Sequence, residues 1–259
     1  MTTHPVSALV AALDALSPFA QAEKWDNVGL LVGDPEAPIT RVLCCIDCTA
    51  PVIDEAEALG ANVIVAYHPV IFEGQKRVLA GSLVWRLVRA GIAVVSPHTA
   101  LDLADGGTND MLGDVVALTS RAPLRVTDPR TGRGMGRVGP CEPITREALF
   151  ANIRAGLGVD KLLVAGPTEG LVRRVAVGAG ACGDMVNDAL ASGAELYLTG
   201  ELRHHDALKC AARGMTVVCA LHSNSERAAL GRVAERLGAA LAGLTVLCSA
   251  ADRDPFEVR

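Results

Sequence analysis

Aromatic side chains are scarce in this sequence: two Trp, two Tyr and four Phe make up 3% of its 259 residues. Ala, Val and Leu must therefore do most of the packing, which suits helices laid against a parallel sheet whose strands read as continuous apolar runs. Positive charge is not in excess either. With 24 Lys and Arg against 29 Asp and Glu, the net charge is −5 and the pI about 5.7. That balance excludes a nucleic-acid binder relying on overall charge.

No apolar run is long enough to span a bilayer. The stretch Val6–Leu16 is apolar but interrupted by Asp14 and lacks a cationic lead-in, so it reads as an amphipathic helix rather than a signal segment. Eight cysteines lack the spacing of a disulfide scaffold and mostly lie in or near apolar segments. They read as small buried hydrophobes of a cytoplasmic protein. Cys45-Ile-Asp-Cys48 is formally a C-x-x-C, but no second pair completes a metal site. There is no Walker A sequence. Gly134-Met-Gly136-Arg-Val-Gly139 lacks the preceding strand that a dinucleotide fingerprint requires.

What is present is alternation. Strand-like runs at Arg41–Asp47, Asn62–Ala66 and Ile92–Val95 are separated by helices that stop at Gly60 and Gly91. The order recurs at Arg174–Val177, Glu195–Leu198 and Met215–Leu221, with helix stops at Gly193 and Gly214. Val42, Gly60 and His68 map onto Val175, Gly193 and Glu201 at a constant offset, which points to two related α/β lobes built of parallel βα units. The expected division is an N-terminal lobe over 1–120, a crossing over 121–143 and a C-terminal lobe over 144–259, together one compact two-lobed unit. The crossing carries five arginines and reads as a solvated linker or an anion-collecting loop.

The two lobes share a second feature. Val217–Leu221 ends in His222-Ser-Asn-Ser-Glu226, and Ala93–Val95 leads to His98-Thr-Ala-Leu-Asp102. Ligands of open α/β sheets gather at such strand ends, and imidazole with carboxylate is a metal-ligand set. The competing reading makes Ser223-x-x-Glu226 and Thr99-x-x-Asp102 helix capping boxes, although capping does not ask for a histidine before each box. The candidates gathered at strand ends are His68, His98, Asp102, Glu201, His204, His205, His222 and Glu226. Gly178-Ala-Gly180-Ala-Cys-Gly183 reads as a loop lining the same site and holding an anion.

Taken together, Trp25-Asp-Asn-Val-Gly29-Leu, Tyr67-His68-Pro69, Ser96-Pro-His98-Thr-Ala-Leu-Asp102, Gly134-Met-Gly136-Arg-Val-Gly139, Thr199-Gly-Glu201 with His204-His205, and His222-x-x-x-Glu226 form a specific set. The chain resembles the dinuclear metal-centre proteins called GTP cyclohydrolase 1 type 2 homologues, or NGG-interacting-factor-like proteins, in their short form without an inserted domain. The resemblance implies two α/β lobes facing each other across a central metal site, assembled into a homohexamer. It places metal ligands at His68, Asp102, His222 and Glu226, holding two divalent ions per chain, with Zn, Fe, Mn and Ni all compatible. Where that family commonly has a histidine before the first ligand, this chain has Tyr67, a poorer donor whose place His98 or water would take.

The function expected is hydrolysis of a small anionic or nucleotide-like substrate through a metal-bound hydroxide. Glu201 or His204 would move protons, and Arg137 or the Gly178 loop would hold the anionic group. The alternatives are ring opening of GTP and a non-catalytic metal-binding oligomeric scaffold.

Overall fold

The computed structural model describes residues 4–257. The chain divides into two compact units, one from the N-terminus to Ala104 together with Ala229–Arg253, the other Asp105–Ala228 together with the residues from Asp254.

The first unit contains helix α1 (Val6–Leu16), strands β1 (Gly29–Val32) and β2 (Val42–Cys45), helix α2 (Ala50–Leu59), strand β3 (Val63–Ala66), helix α3 (Leu83–Ala90), strand β4 (Ala93–Ser96) and helix α4 (His98–Leu103). The last strand of the chain, β12 (Val246–Cys248), joins this unit and completes a sheet of order β1-β4-β3-β2-β12. Strands β2, β3, β4 and β12 are parallel, and β1 runs antiparallel beside β4.

Successive side chains of these strands part to opposite faces, as pleating demands. Val42, Cys44, Val63, Val65 and Val95 pack with Val6, Leu9 and Leu13 of α1 and with Leu230, Val233 and Leu237. Leu43, Cys45, Ile64 and Val94 pack on the other side with Val52, Ile53 and Ala56 of α2 and with Val84 and Leu87 of α3. A strand buried on both faces has no polar face to show, which is why each reads as an unbroken apolar run. Gly60 and Gly91 end α2 and α3 at φ 66°, the left-handed cap that glycine adopts without a Cβ penalty.

The second unit follows the same plan. It contains α5 (Thr108–Val115), β5 (Arg125–Asp128), β6 (Arg133–Met135), β7 (Arg137–Thr145), α6 (Arg146–Leu157), β8 (Leu163–Ala165), β9 (Leu171–Gly178), α7 (Val186–Ala191), β10 (Leu196–Thr199), α8 (His204–Ala212) and β11 (Thr216–Cys219). Helix α9 (His222–Ala240) starts in this unit, and its residues from Ala229 belong to the first. The sheet order is β7-β9-β10-β11-β8, with β9, β10 and β11 parallel.

The class is mixed α/β, and both sheets carry antiparallel strands at their edges that a purely parallel βα reading omits. The stretch 121–143 is one source of the difference. Its sequence reads as a solvated linker or an anion-collecting loop, yet it forms the β5–β6 hairpin and most of β7, which pairs antiparallel with β9. Apolar periodicity is weak there because arginines hold it instead. Arg125 pairs with Asp184 and Asp188, Arg121 with Asp114, and Arg137 with Asp110. The glycines of Gly134-x-x-x-x-Gly139 serve close backbone contact. A Cβ at Gly134 would collide with the Arg125 carbonyl, and one at Gly139 with the Ser120 carbonyl.

Candidate metal centre

In the first unit the carboxyl ends of β2, β3 and β4 deliver Asp47, Tyr67-His68 and His98. Nδ1 of His68 lies 2.9 Å from Asp47 Oδ1, and Nδ1 of His98 lies 2.7 Å from Asp26 Oδ1. A carboxylate only accepts, so it places the ring hydrogen on Nδ1 and leaves Nε2 as the donor atom. Asp26 has a fully buried side chain and also accepts from the Thr99 amide at 3.1 Å and its hydroxyl at 2.5 Å. Burial pushes this carboxyl up, but the hydrogen bonds from His98 and Thr99 outweigh it and hold the group below its ordinary value. His98 itself sits at φ 30°, a strained conformation for a residue with a Cβ, where β4 turns directly into α4. Asp102, one turn along α4, is buried and accepts a short hydrogen bond from the hydroxyl of buried Tyr67.

In the second unit β9, β10 and β11 deliver the Gly178–Gly180 loop, Glu201 and His222. Again the turn from strand to helix is abrupt, and Leu221 takes φ 72° immediately before His222. Nδ1 of His222 lies 2.6 Å from Glu201 Oε1, and its Nε2 lies 3.3 Å from Glu226 Oε1 one turn further along α9. Glu226 is 3% exposed. Space is made for this pair by glycine. A Cβ on Gly180 would strike Glu226 Oε1 and come within 3.1 Å of His222 Nε2, and one on Gly200 would lie 3.0 Å from the His222 Cα.

Thus each of three strand-end histidines has a carboxylate on one nitrogen, an arrangement that orients imidazole ligands toward a metal. His68 in the first unit, and His222 with Glu226 in the second, each offer ligand atoms of the kind a divalent ion takes. A divalent ion fits this donor chemistry. The imidazoles are held in one tautomer, the acid is buried, and the glycine cradle beside Glu226 admits no side chain.

Helices α4 and α9 begin at His98 and His222 themselves, so Thr99 and Ser223 lie inside the first turn and not at a cap. The Thr99 hydroxyl is taken by Asp26 and the Glu23 amide, and that of Ser223 by Asp254 and Arg227. The capping-box reading therefore fails at both positions.

Glu201 is the carboxylate that holds His222, with 58% of its side chain exposed. His204 is exposed at the start of α8, its ring 5.3 Å from that of His205. Two further expectations change. The amides of Ala179 and Gly180 are satisfied by Asn109 and Ser225, so that loop braces the site and presents these amides to no anion. Arg137 is 6% exposed and committed to Asp110 and to the carbonyls of Gly134 and Gly136.

None of the eight cysteines forms a disulfide. Cys45 and Cys48 are buried, and burial, reinforced by Asp47, pushes the Cys48 thiol up to about 12, leaving it protonated and inert. Sequence reasoning missed Asp47 and Asp26 as histidine partners. The available signals were an acid just past the end of β2 and the Asp of the Trp25-Asp26-Asn27 turn.

The chain has relatives among known proteins. A Clostridium perfringens GTP cyclohydrolase 1 type 2 homolog is 30% identical over 255 residues, covering 96% of this chain and 97% of its own. The Saccharomyces cerevisiae NGG1-interacting factor 3 is 34% identical, covering 100% of this chain and 98% of its own. A Bacillus cereus protein related to NIF3 has the same fold at a TM-score of 0.91 with 21% identity, covering both chains completely. Residues 4–255 match the Duf34/NIF3 (NGG1p interacting factor 3) family, and the chain belongs to it.

Proposed function

We propose that this chain holds two divalent metal ions through His68, Asp102, His222 and Glu226, and that it hydrolyses a small anionic, nucleotide-like substrate. The observation that carries the reading is the repeated strand-end histidine whose Nδ1 is fixed by a carboxylate, with a buried acid one helical turn past His98 and past His222. Bound divalent ions would lower the pKa of water and neutralise charge developing on the substrate. The chain's own groups do the rest. Asp47 and Glu201 orient His68 and His222. The Tyr67 hydroxyl fixes the Asp102 carboxylate. Glu201, largely exposed beyond the oxygen that holds His222, is placed to accept a proton and return it to a leaving group. A homohexamer and a GTP ring-opening reaction are narrower versions of this reading.

Metal analysis of protein purified without added metal tests it. Asp102→Ala and His222→Ala should each lose at least one ion per chain. Full occupancy in His222→Ala would overturn the assignment.

A metal-holding scaffold without turnover is the second reading, favoured by the position of His204. That residue is exposed with its ring against His205, whereas the acids beside the His222 ring are Glu201 and Glu226. Full metal occupancy without hydrolysis of GTP or simpler phosphate esters would select the scaffold.

A further inference from the structure

The first unit exposes an aromatic pair beside its half of the site. Trp25 is 59% exposed and Phe72 53%, in a chain with only eight Trp, Tyr and Phe residues. Their ring centroids lie 5.8 Å apart at an interplanar angle of 55°. Both rings also contact His98, Trp25 at 5.9 Å and Phe72 at 6.3 Å, each near perpendicular. His98 in turn meets His68 at 5.4 Å and Tyr67 at 6.2 Å, so the pair is continuous with the proposed ligand His68.

The turn that carries Trp25 is held by hydrogen bonds, one of which ties it to the residue before Phe72. The Asp26 amide donates to the Glu23 carbonyl, closing a turn with Trp25 at its tip, and the Glu23 amide donates to the Thr99 hydroxyl. The buried Asp26 carboxylate is anchored on His98 and Thr99. The Asn27 side chain donates to the Ile71 carbonyl at 2.6 Å, tying the Trp25 turn to the segment that carries Phe72. Large apolar rings left in water forgo the stabilisation that burial would give them. A turn so hydrogen-bonded that holds two such rings in water, next to the rings of His98, His68 and Tyr67, is built to present them.

We propose that Trp25 and Phe72 form a stacking platform for the base of a nucleotide whose phosphates are drawn to the metal centre. The inference rests on the proposed function and adds the residues that would hold the base. Stacking on aromatic side chains suits any base, because every base offers a π face, and recognition would come from ring size and position. The chemistry differs from the Trp85 ring in the same unit, which is covered by the Arg89 guanidinium at 4.6 Å.

The test uses Trp85→Phe as the parent, so that Trp25 is the only tryptophan emitting. Metal-loaded and chelator-treated protein are each titrated with GTP and, separately, with inorganic tripolyphosphate. GTP should quench Trp25 and bind at least tenfold more tightly than tripolyphosphate. Phe72→Ala, read by the Trp25 signal, and Trp25→Ala, read by calorimetry, should each weaken GTP binding roughly tenfold. Trp25→Phe should keep most of the affinity, and none of the three should change tripolyphosphate binding or metal content.

Equal affinity for GTP and tripolyphosphate, or GTP binding unaffected by Trp25→Ala, would overturn the platform. So would a change of oligomeric state in Trp25→Ala with GTP binding intact, which would make the pair a contact between copies. The two readings fail separately. Full metal content without GTP quenching removes only the platform, while GTP binding that depends on Trp25 in protein holding no metal removes only the metal centre.

Discussion

The two strand-to-helix elbows of this protein are variations on one design, and their differences are chemical. At β4–α4, His98 is braced by buried Asp26, and the rings of Trp25, Tyr67, His68 and Phe72 surround it. At β11–α9, His222 is braced by exposed Glu201, and glycine takes the space that rings fill at the other elbow. The position of Tyr67 in the first repeat corresponds to Gly200 in the second, at the same offset that maps His68 to Glu201. A side chain at Gly200 would meet the Gly180 carbonyl at 2.5 Å and the Ser225 hydroxyl at 2.9 Å. The first elbow thus presents its histidine from a rigid aromatic setting, and the second keeps buried Glu226 close by removing side chains. A repeated backbone fixed where the strand-end histidines and acids stand, and local packing decided what surrounds each.

That contrast can be broken most sharply at the bracing acids. Asp26→Ala deletes a buried carboxylate and strands the hydrogen-bonding groups of His98 and Thr99, so it should destabilise the metal-free protein by roughly 2–4 kcal/mol in urea denaturation. Glu201→Ala removes a largely exposed group and should cost less than about 1 kcal/mol. Equal losses would mean that the two elbows depend on their acids alike.

Glu226→Gln comes next. The side chain keeps its size but loses its charge, so metal-free melting should change by no more than about 1 kcal/mol. The added stability that metal gives the parent, roughly 2.7 kcal/mol at a hundredfold excess over the dissociation constant, should vanish. Equal metal-induced shifts in both proteins would remove Glu226 from the ligand set.

Tyr67→Phe tests the feature that the second elbow lacks. Taking the hydroxyl from a buried hydrogen bond to Asp102 should cost about 1–2 kcal/mol in the metal-free protein. Competitive chelator titration should show weaker binding, because Asp102 loses the group that fixes its orientation. Unchanged metal affinity would confine Tyr67 to packing.

The smallest effect expected is in pH dependence. The Asp26 carboxyl is held below its ordinary value, so its contribution to stability is complete above the ordinary carboxylate range and is lost as pH falls through its lowered value. Asp26→Asn should therefore flatten the acid limb of a plot of unfolding free energy against pH. A parallel acid limb in both proteins would assign the lost stability to other groups.

Much of the scaffold was legible. The apolar runs of β2, β3 and β4 and the glycine stops at Gly60 and Gly91 announce their elements because parallel strands are buried on both faces and left-handed caps favour glycine. The antiparallel edges were not legible. β7 and the β5–β6 hairpin sit in an arginine-rich stretch whose pairing depends on Asp110, Asp114, Asp184 and Asp188 elsewhere in the chain. The chain also returns from α9 to add β12 to the first sheet, a connection no local pattern encodes.

The sequence by itself determined the repeated strand, the histidine at its carboxyl end and the acid four residues later, because period, propensity and turn residues are local properties. Only the tertiary structure decided what each histidine and acid would touch. Asp26 reaches His98 across 72 positions, Asp47 reaches His68 across 21, and Gly180 makes room for Glu226 across the second unit. Hydrogen bonds and steric fit act over a few ångströms of space whatever the separation along the chain. A buried carboxylate's role is therefore set by the partners that folding brings to it.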